Sequence, residues 1–174
     1  ESTVNLNLTN VFGSTLSNTD GIHSANDGTT LSNRLTDAAA DDNFESGVAN
    51  SNTSIYPLTF GGVGGKVNFR AATLDASDVV IKFKFERAAY PNQEPSFEVS
   101  QTISETMVND YEISIPNQNQ NSFSNVILYL VTKNAFVDIS DIQITPIDIP
   151  VATPNTDEST VNLNLTNVFG STLS

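Results

Sequence analysis

Cysteine is missing and His23 is the single histidine among 174 residues. Thiolate chemistry and multi-histidine metal sites are therefore excluded within one chain, and any imidazole base would have to be His23. His23 stands in the polar stretch Gly21-Ile22-His23-Ser24-Ala25-Asn26-Asp27, where the expectation is an exposed loop histidine. Carboxylates cluster as Asp37, Asp41, Asp42 and Glu45, and again as Asp138, Asp141 and Asp148. Calcium takes about six to eight oxygen ligands from carboxylates and carbonyls on irregular backbone. Solvated turn carboxylates are the expected reading, with a structural calcium at Asp42, Glu45, Asp138 and Asp141 as the alternative, and no cofactor is required. Twenty acidic side chains make pairs at glycosidase spacing a matter of chance; no catalytic motif accompanies them, so no enzyme is expected.

The run Gly61-Gly62-Val63-Gly64-Gly65-Lys66 lacks the earlier Gly and the following Ser or Thr of a phosphate loop, because Phe60 and Val67 occupy those places. It reads instead as a hairpin or bulge between strands. For a sugar ligand, the rings placed to stack on it are Tyr56, Tyr90 and Tyr111, although a tyrosine with its ring in the core and its hydroxyl at the rim is the commoner case.

The elements that must position these residues read as strands. Val4, Leu6 and Leu8 alternate with Asn5, Asn7 and Thr9, and Val79, Ile81, Phe83 and Phe85 alternate with Val80, Lys82, Lys84 and Glu86, a period of two that buries one face. Further strands are expected at Ile55–Phe60, Lys66–Ala71, Ser96–Ser100, Tyr111–Ile115, Phe136–Ile139 and Ile142–Ile149. Asn125–Thr132 is apolar on both faces and reads as a central strand. Leu35–Asp42 makes a helical turn or two at most, and Asn18–Asn50 reads as a long polar loop of the kind that is functional or mobile. The fold class is all-β, a two-sheet antiparallel β-sandwich of jelly-roll type.

Seven basic against twenty acidic side chains give a net charge of -13, which repels nucleic-acid phosphates. No apolar run approaches the ~18 residues of a membrane-spanning helix, so neither nucleic acid nor membrane insertion is expected. Glu1-Ser2-Thr3 carry no basic start or apolar stretch of a signal peptide. The chain is accordingly expected to be a fragment. Asn, Ser and Thr together supply 59 of the 174 residues, an uncharged polar surface.

The sequence ESTVNLNLTNVFGSTLS occurs twice, at residues 1–17 and 158–174. Seventeen consecutive identities point to a tandem array whose unit spans residues 1–157, with 150–157 as a semi-stiff connector containing Pro150 and Pro154 and with 158–174 opening the next unit. The alternative is a segment copied by design from one end to the other. One slot cannot bury both Val4, Leu6 and Leu8 and their counterparts Val161, Leu163 and Leu165, so these six residues are candidates for strand exchange between neighbouring copies.

Asp42-Asn43-Phe44-Glu45-Ser46-Gly47 and the closing stretch Phe136-Val137-Asp138-Ile139-Ser140-Asp141-Ile142-Gln143-Ile144 resemble the jelly-roll carbohydrate-binding modules of the galactose-binding-like superfamily, in which Asp141 matches the aspartate before the closing strand's alternating apolar residues. That resemblance implies a glycan partner. Tandem repetition, abundant Asn, Ser and Thr and no Cys also resemble the repeat regions of bacterial surface adhesins and extracellular fibres, which implies a cell-surface location and neighbouring copies of the same repeat as partners. The resulting expectation is a structural repeat unit of an extracellular adhesin or fibre, with a non-catalytic carbohydrate-binding module as the alternative.

Overall fold

The structure, a computed structural model, describes residues 3–12, 14–19, 23–37 and 46–147. Its elements in chain order are β1 (Val4–Asn5), β2 (Leu8–Phe12), β3 (Ser14–Asn18), β4 (Asn33–Asp37), β5 (Ser46–Asn50), a 3-10 turn (Thr53–Ile55), β6 (Leu58–Thr59), β7 (Gly65–Ala72), β8 (Val79–Glu86), β9 (Ser96–Ile103), β10 (Asn109–Ile115), β11 (Ser122–Phe123), β12 (Asn125–Leu130) and β13 (Phe136–Pro146). One sheet runs β10-β7-β13-β4-β3 with β1 also on β13, the other runs β2-β5-β12-β8-β9, and β6 pairs with β11. All strand pairs are antiparallel. The fold is the all-β sandwich that the period-2 alternation predicts.

Between the sheets lies a core drawn from both alternating faces. Phe60, Phe85, Phe97 and Phe123 form one aromatic cluster, with Phe85 and Phe97 stacked at 4.7 Å and Phe97 edge-on to Phe123 at 4.9 Å. Phe69 and Phe83 meet across the sheets at 5.7 Å. β12 is central, between β5 and β8. Val126, Leu128 and Leu130 enter the core, while Ile127 and Tyr129 are also buried, and Lys82 lies 4.9 Å above the Tyr129 ring.

Four expectations are corrected. Asn18–Asn50 is not a loop throughout: it contains β4, inside one sheet between β13 and β3, and β5, inside the other between β2 and β12. Leu35–Asp37 is accordingly strand rather than helical turn; Ala38–Asp42 lies outside the described residues. In place of one strand at Ile55–Phe60 there is a 3-10 turn, capped by the Asn52 side chain accepting from the Ser54 amide at 3.1 Å, then the two-residue β6. Phe136–Ile139 and Ile142–Pro146 belong to one strand, β13, bent by a register shift between Ser140 and Gln143, while Asp148 and Ile149 lie outside the described residues; Asp141 sits in that bulge at φ +56°. The connector 150–157 and the copy 158–174 lie outside the described residues.

The glycine run turns the chain from β6 into β7, which belong to different sheets. Gly64 has φ +96°, and a Cβ there would stand 1.9 Å from the Ile115 carbonyl oxygen. Backbone conformation and lack of space together demand glycine. Gly28, at φ +85°, faces open space. Gly64→Ala is expected to destabilise by about 2 to 4 kcal/mol and Gly28→Ala by only about 1 kcal/mol; calorimetric unfolding of both variants checks the contrast.

Candidate functional site

The opening residues do not form one strand along one edge. β13 is flanked by β7 on one side and, on the other, by β4 along its first half and β1 along its second. Val4 lies opposite Ile144 and Asn5 opposite Gln143, and the Leu6 amide donates to the Ile142 carbonyl at 3.0 Å. The chain then crosses to the other sheet. The Asn7 amide donates to the Asn50 side-chain oxygen at 2.9 Å, and β2 pairs with β5, Leu8 opposite Asn50. It returns as β3, an edge strand on β4. Leu6 is buried, and Val4 and Leu8 are half-buried against the core. This seam is integral to both sheets, and it closes the β13 edge from Ile142 to Thr145 that would otherwise stand open.

β1 also completes a polar row on the outer face of its sheet. Glu112, Asn68, Gln143 and Asn5 are register partners across β10, β7, β13 and β1. Their side chains are linked: Asn68 Nδ2 donates to Glu112 at 3.2 Å and Gln143 Nε2 to Asn5 Oδ1 at 3.1 Å. A second row carries Lys66, 3.7 Å from Glu112, and Thr145, bonded to Thr3 at 2.9 Å. Four strands at ~4.8 Å spacing give a ladder about 14 Å wide. Amides, hydroxyls and paired charges on such a face both donate to and accept from hydroxyl-rich ligands.

Towards β4 the same face is covered by the segment His23–Leu31, and there lies its charged centre. Asp138 is fully buried and accepts two bonds from Arg34, Nε to Oδ1 at 2.7 Å and Nη2 to Oδ2 at 2.8 Å. His23 Nδ1–H donates to the same Oδ2 at 2.7 Å. His23 is thus buried, which corrects the expectation of an exposed loop histidine: Asp138 draws it down onto the sheet. Neighbouring Arg70 binds Asp110 at 2.9 Å, Asp27 at 3.0 Å and the Thr29 hydroxyl. Hydrogen bonds from the Thr29 hydroxyl and amide, then from Arg70, lower the Asp27 pKa to about 2. The same Asp27 contact raises the Arg70 pKa.

Of the candidate calcium ligands, Asp138 and Asp141 fall among the described residues. Asp138 is taken up by Arg34 and His23, Asp141 is exposed in the β13 bulge with Ser140 Oγ at 3.4 Å, and Asp42 and Glu45 lie outside the described residues. Among the described residues no group of three or more His, Asp or Glu stands where it could hold a metal ion. Of the tyrosines, Tyr90 is 84% exposed. Tyr56 is half-buried and its hydroxyl accepts from the Val126 amide at 3.0 Å, while Tyr111 stacks on Phe69 at 5.3 Å; burial raises the pKa of both hydroxyls. Tyr90 is the most exposed of the three. The loops after β7, β9 and β12 meet at one end of the sandwich around open clefts of about 240 and 500 Å³.

No family model matches the sequence, and no curated protein is similar to it. Solved structures are similar in fold. The CBM22-1 xylan-binding domain of Paenibacillus barcinonensis Xyn10C superimposes with a TM-score of 0.51 at 12% identity, covering 82% of this chain and 86% of that one. The chain has the fold of such modules. A variant of a family 29 carbohydrate-binding module gives 0.51 at 15% identity, covering 82% and 91%. The K3 cleaved adhesin domain of Lys-gingipain from Porphyromonas gingivalis gives 0.43 at 10% identity over 84% and 100%. Among the described residues no helix is long and apolar enough to cross a membrane.

Removing the charge of Asp138 while keeping its shape leaves Arg34 without its carboxylate. Asp138→Asn is expected to cost about 3 to 5 kcal/mol, or a fall in Tm of about 10 °C for a chain of this size, read by calorimetry at pH 7. Asp27 contributes with the sign of a lowered carboxylate: its stabilisation is present above its unfolded pKa of 3.8 and lost as pH falls through about 2. The Tm advantage of the parent over Asp27→Asn should therefore be constant from pH 7 to pH 5, shrink as pH falls towards 2 and vanish only below it.

Proposed function

We propose that the chain is a non-catalytic β-sandwich module of an extracellular adhesin or fibre, repeated in tandem with a unit of residues 1–157. The observation that carries this reading is the repeated seventeen-residue sequence taken together with where its first copy sits. Residues 3–18 supply strands to both sheets and a buried leucine to the core, so the second copy contains what a following sandwich needs to begin. The unit's charge is -12, since only Glu158 of the net -13 falls in the copy. Like-charged beads repel, which keeps an array extended.

The chemistry on the surface supports binding rather than catalysis. His23, the one histidine, has its Nδ1 committed to a buried aspartate, and the open part of the β10-β7-β13-β1 face is a ladder of amides and paired charges. The sandwich fold shared with carbohydrate-binding modules, and this ladder, favour a second reading in which the module grips a glycan across β10, β7, β13 and β1. Repetition would then add avidity.

Solution mass by light scattering, with electron microscopy, on residues 1–174 and 1–157 tests the structural reading. Chains or filaments from the longer protein alone are expected. If both stay monomeric at every concentration, the second copy only opens the next unit, and a fibre joined by strand exchange between chains is lost. For the glycan reading, a soluble polysaccharide panel should raise Tm through linkage, and Asn68→Ala with Gln143→Ala should abolish the rise; a panel that leaves Tm unchanged removes that reading.

A further inference from the structure

The register of β1 shows more than that the seam belongs to the fold. β13 runs antiparallel to β1, and the chain leaves β13 at Pro146, beside Val4, which lies opposite Ile144. Val161, the counterpart of Val4, follows after residues 147–160, fourteen residues that need to span only the ~4.8 Å between neighbouring strands. A chain that turns back after β13 therefore meets the β1 slot as an ordinary hairpin partner. The residues it brings are the same: Val161 for Val4, Asn162 for Asn5, Leu163 for Leu6 and Leu165 for Leu8.

We propose that residues 158–174 are a second occupant of the slot that β1, β2 and β3 fill, so that the partner this module recognises is another copy of its own opening strands. The inference rests on the modular reading above and names the joint between modules. Val161 pairs with Ile144 and Asn162 with Gln143, Leu163 enters the core in place of Leu6, and Leu165 continues opposite Asn50. Because the two occupants have one sequence, the main-chain bonds and buried area are the same for either. The choice is set by connectivity and concentration rather than by affinity. Between tandem units the exchange makes a continuous joint: β1 to β3 of one unit are laid into the preceding unit, and the chain returns to its own sheet between Asn18 and Asn33. Asn162 in the slot also rebuilds the polar row through Gln143 and Asn68, so the outer face is unaltered by which copy is seated.

Aspartate at the buried leucine separates the possibilities in the full 174-residue chain. Leu6→Asp unseats the first copy and Leu163→Asp disables the second. The proposal expects each single variant to melt within a few degrees of the parent and the double variant to lose more than about 15 °C or its cooperative transition, since a charge then has no apolar substitute. If Leu6→Asp alone is as damaged as the double variant, the copy does not enter the slot and the proposal fails. If the double variant is as stable as the parent, the seam itself is dispensable, and it is the modular reading that fails. A second readout needs no destabilised protein. The chain has no native cysteine, and Asn5 and Gln143 face each other as a non-hydrogen-bonded pair, the close-approach position for a disulfide. On mild oxidation Asn5→Cys with Gln143→Cys should close. Asn162→Cys with Gln143→Cys should close too, within one chain at low concentration and between chains at high concentration. Closure of the first pair without the second at any concentration overturns the proposal.

Discussion

One stretch of backbone has to serve two sheets. Residues 3–18 pair with β13, cross to β5, and return to β4, so the opening of the chain is the stitch that holds the sandwich along one side. Remove it and the second half of β13 loses its neighbour, the β2-β5 edge is exposed, and Leu6 leaves a gap in the core. Alternation does the local work: Val4, Leu6 and Leu8 all point inward, although the strands that carry them belong to different sheets. The crossing costs no apolar contact because the interior is continuous from one sheet to the other.

On the outer face of the same sheet, the arrangement is governed by burial of charge. A carboxylate removed from water requires partners, and Asp138 has two Arg34 nitrogens and His23. That requirement folds His23–Leu31 over the sheet and leaves the other half of the face open. There the row from Glu112 to Asn5 has exposed amides in register. The polarity of the module is thus divided between a covered charged centre that stabilises and an open ladder that is available to a ligand. With -13 overall, that open ladder suits neutral hydroxyl-rich ligands better than anionic ones.

Strands with one wet face were legible in the sequence. β7, β8, β9, β10 and β12 follow from alternation or, for β12, from apolarity on both faces. β4 and β5 were not, because their patterns are broken by polar residues at buried places: Asp37 and Asn50 are both buried, and Arg34 faces outward under a covering segment rather than into water. Leu31 and Leu35, four apart with polar residues between, were the one available sign of a strand there. Nothing in the spacing marked Asp138 as the partner of residues more than 100 positions away. Long-range ion pairs have no periodicity, so an isolated aspartate in a strand end reads equally as a metal ligand. Among the tyrosines, composition named the rings but not their direction, which the Val126 amide and Phe69 decide for Tyr56 and Tyr111.

The sandwich depends on the opening segment being part of the fold rather than an appendage. Amide hydrogen exchange on residues 1–157, where the segment occurs once, measures this directly. Leu6 and Asn7, whose amides are bonded to Ile142 and Asn50, should exchange as slowly as the amides of β12, because releasing them opens both sheets together. Exchange at the rate of a frayed end, with β8 and β12 still protected, would contradict it.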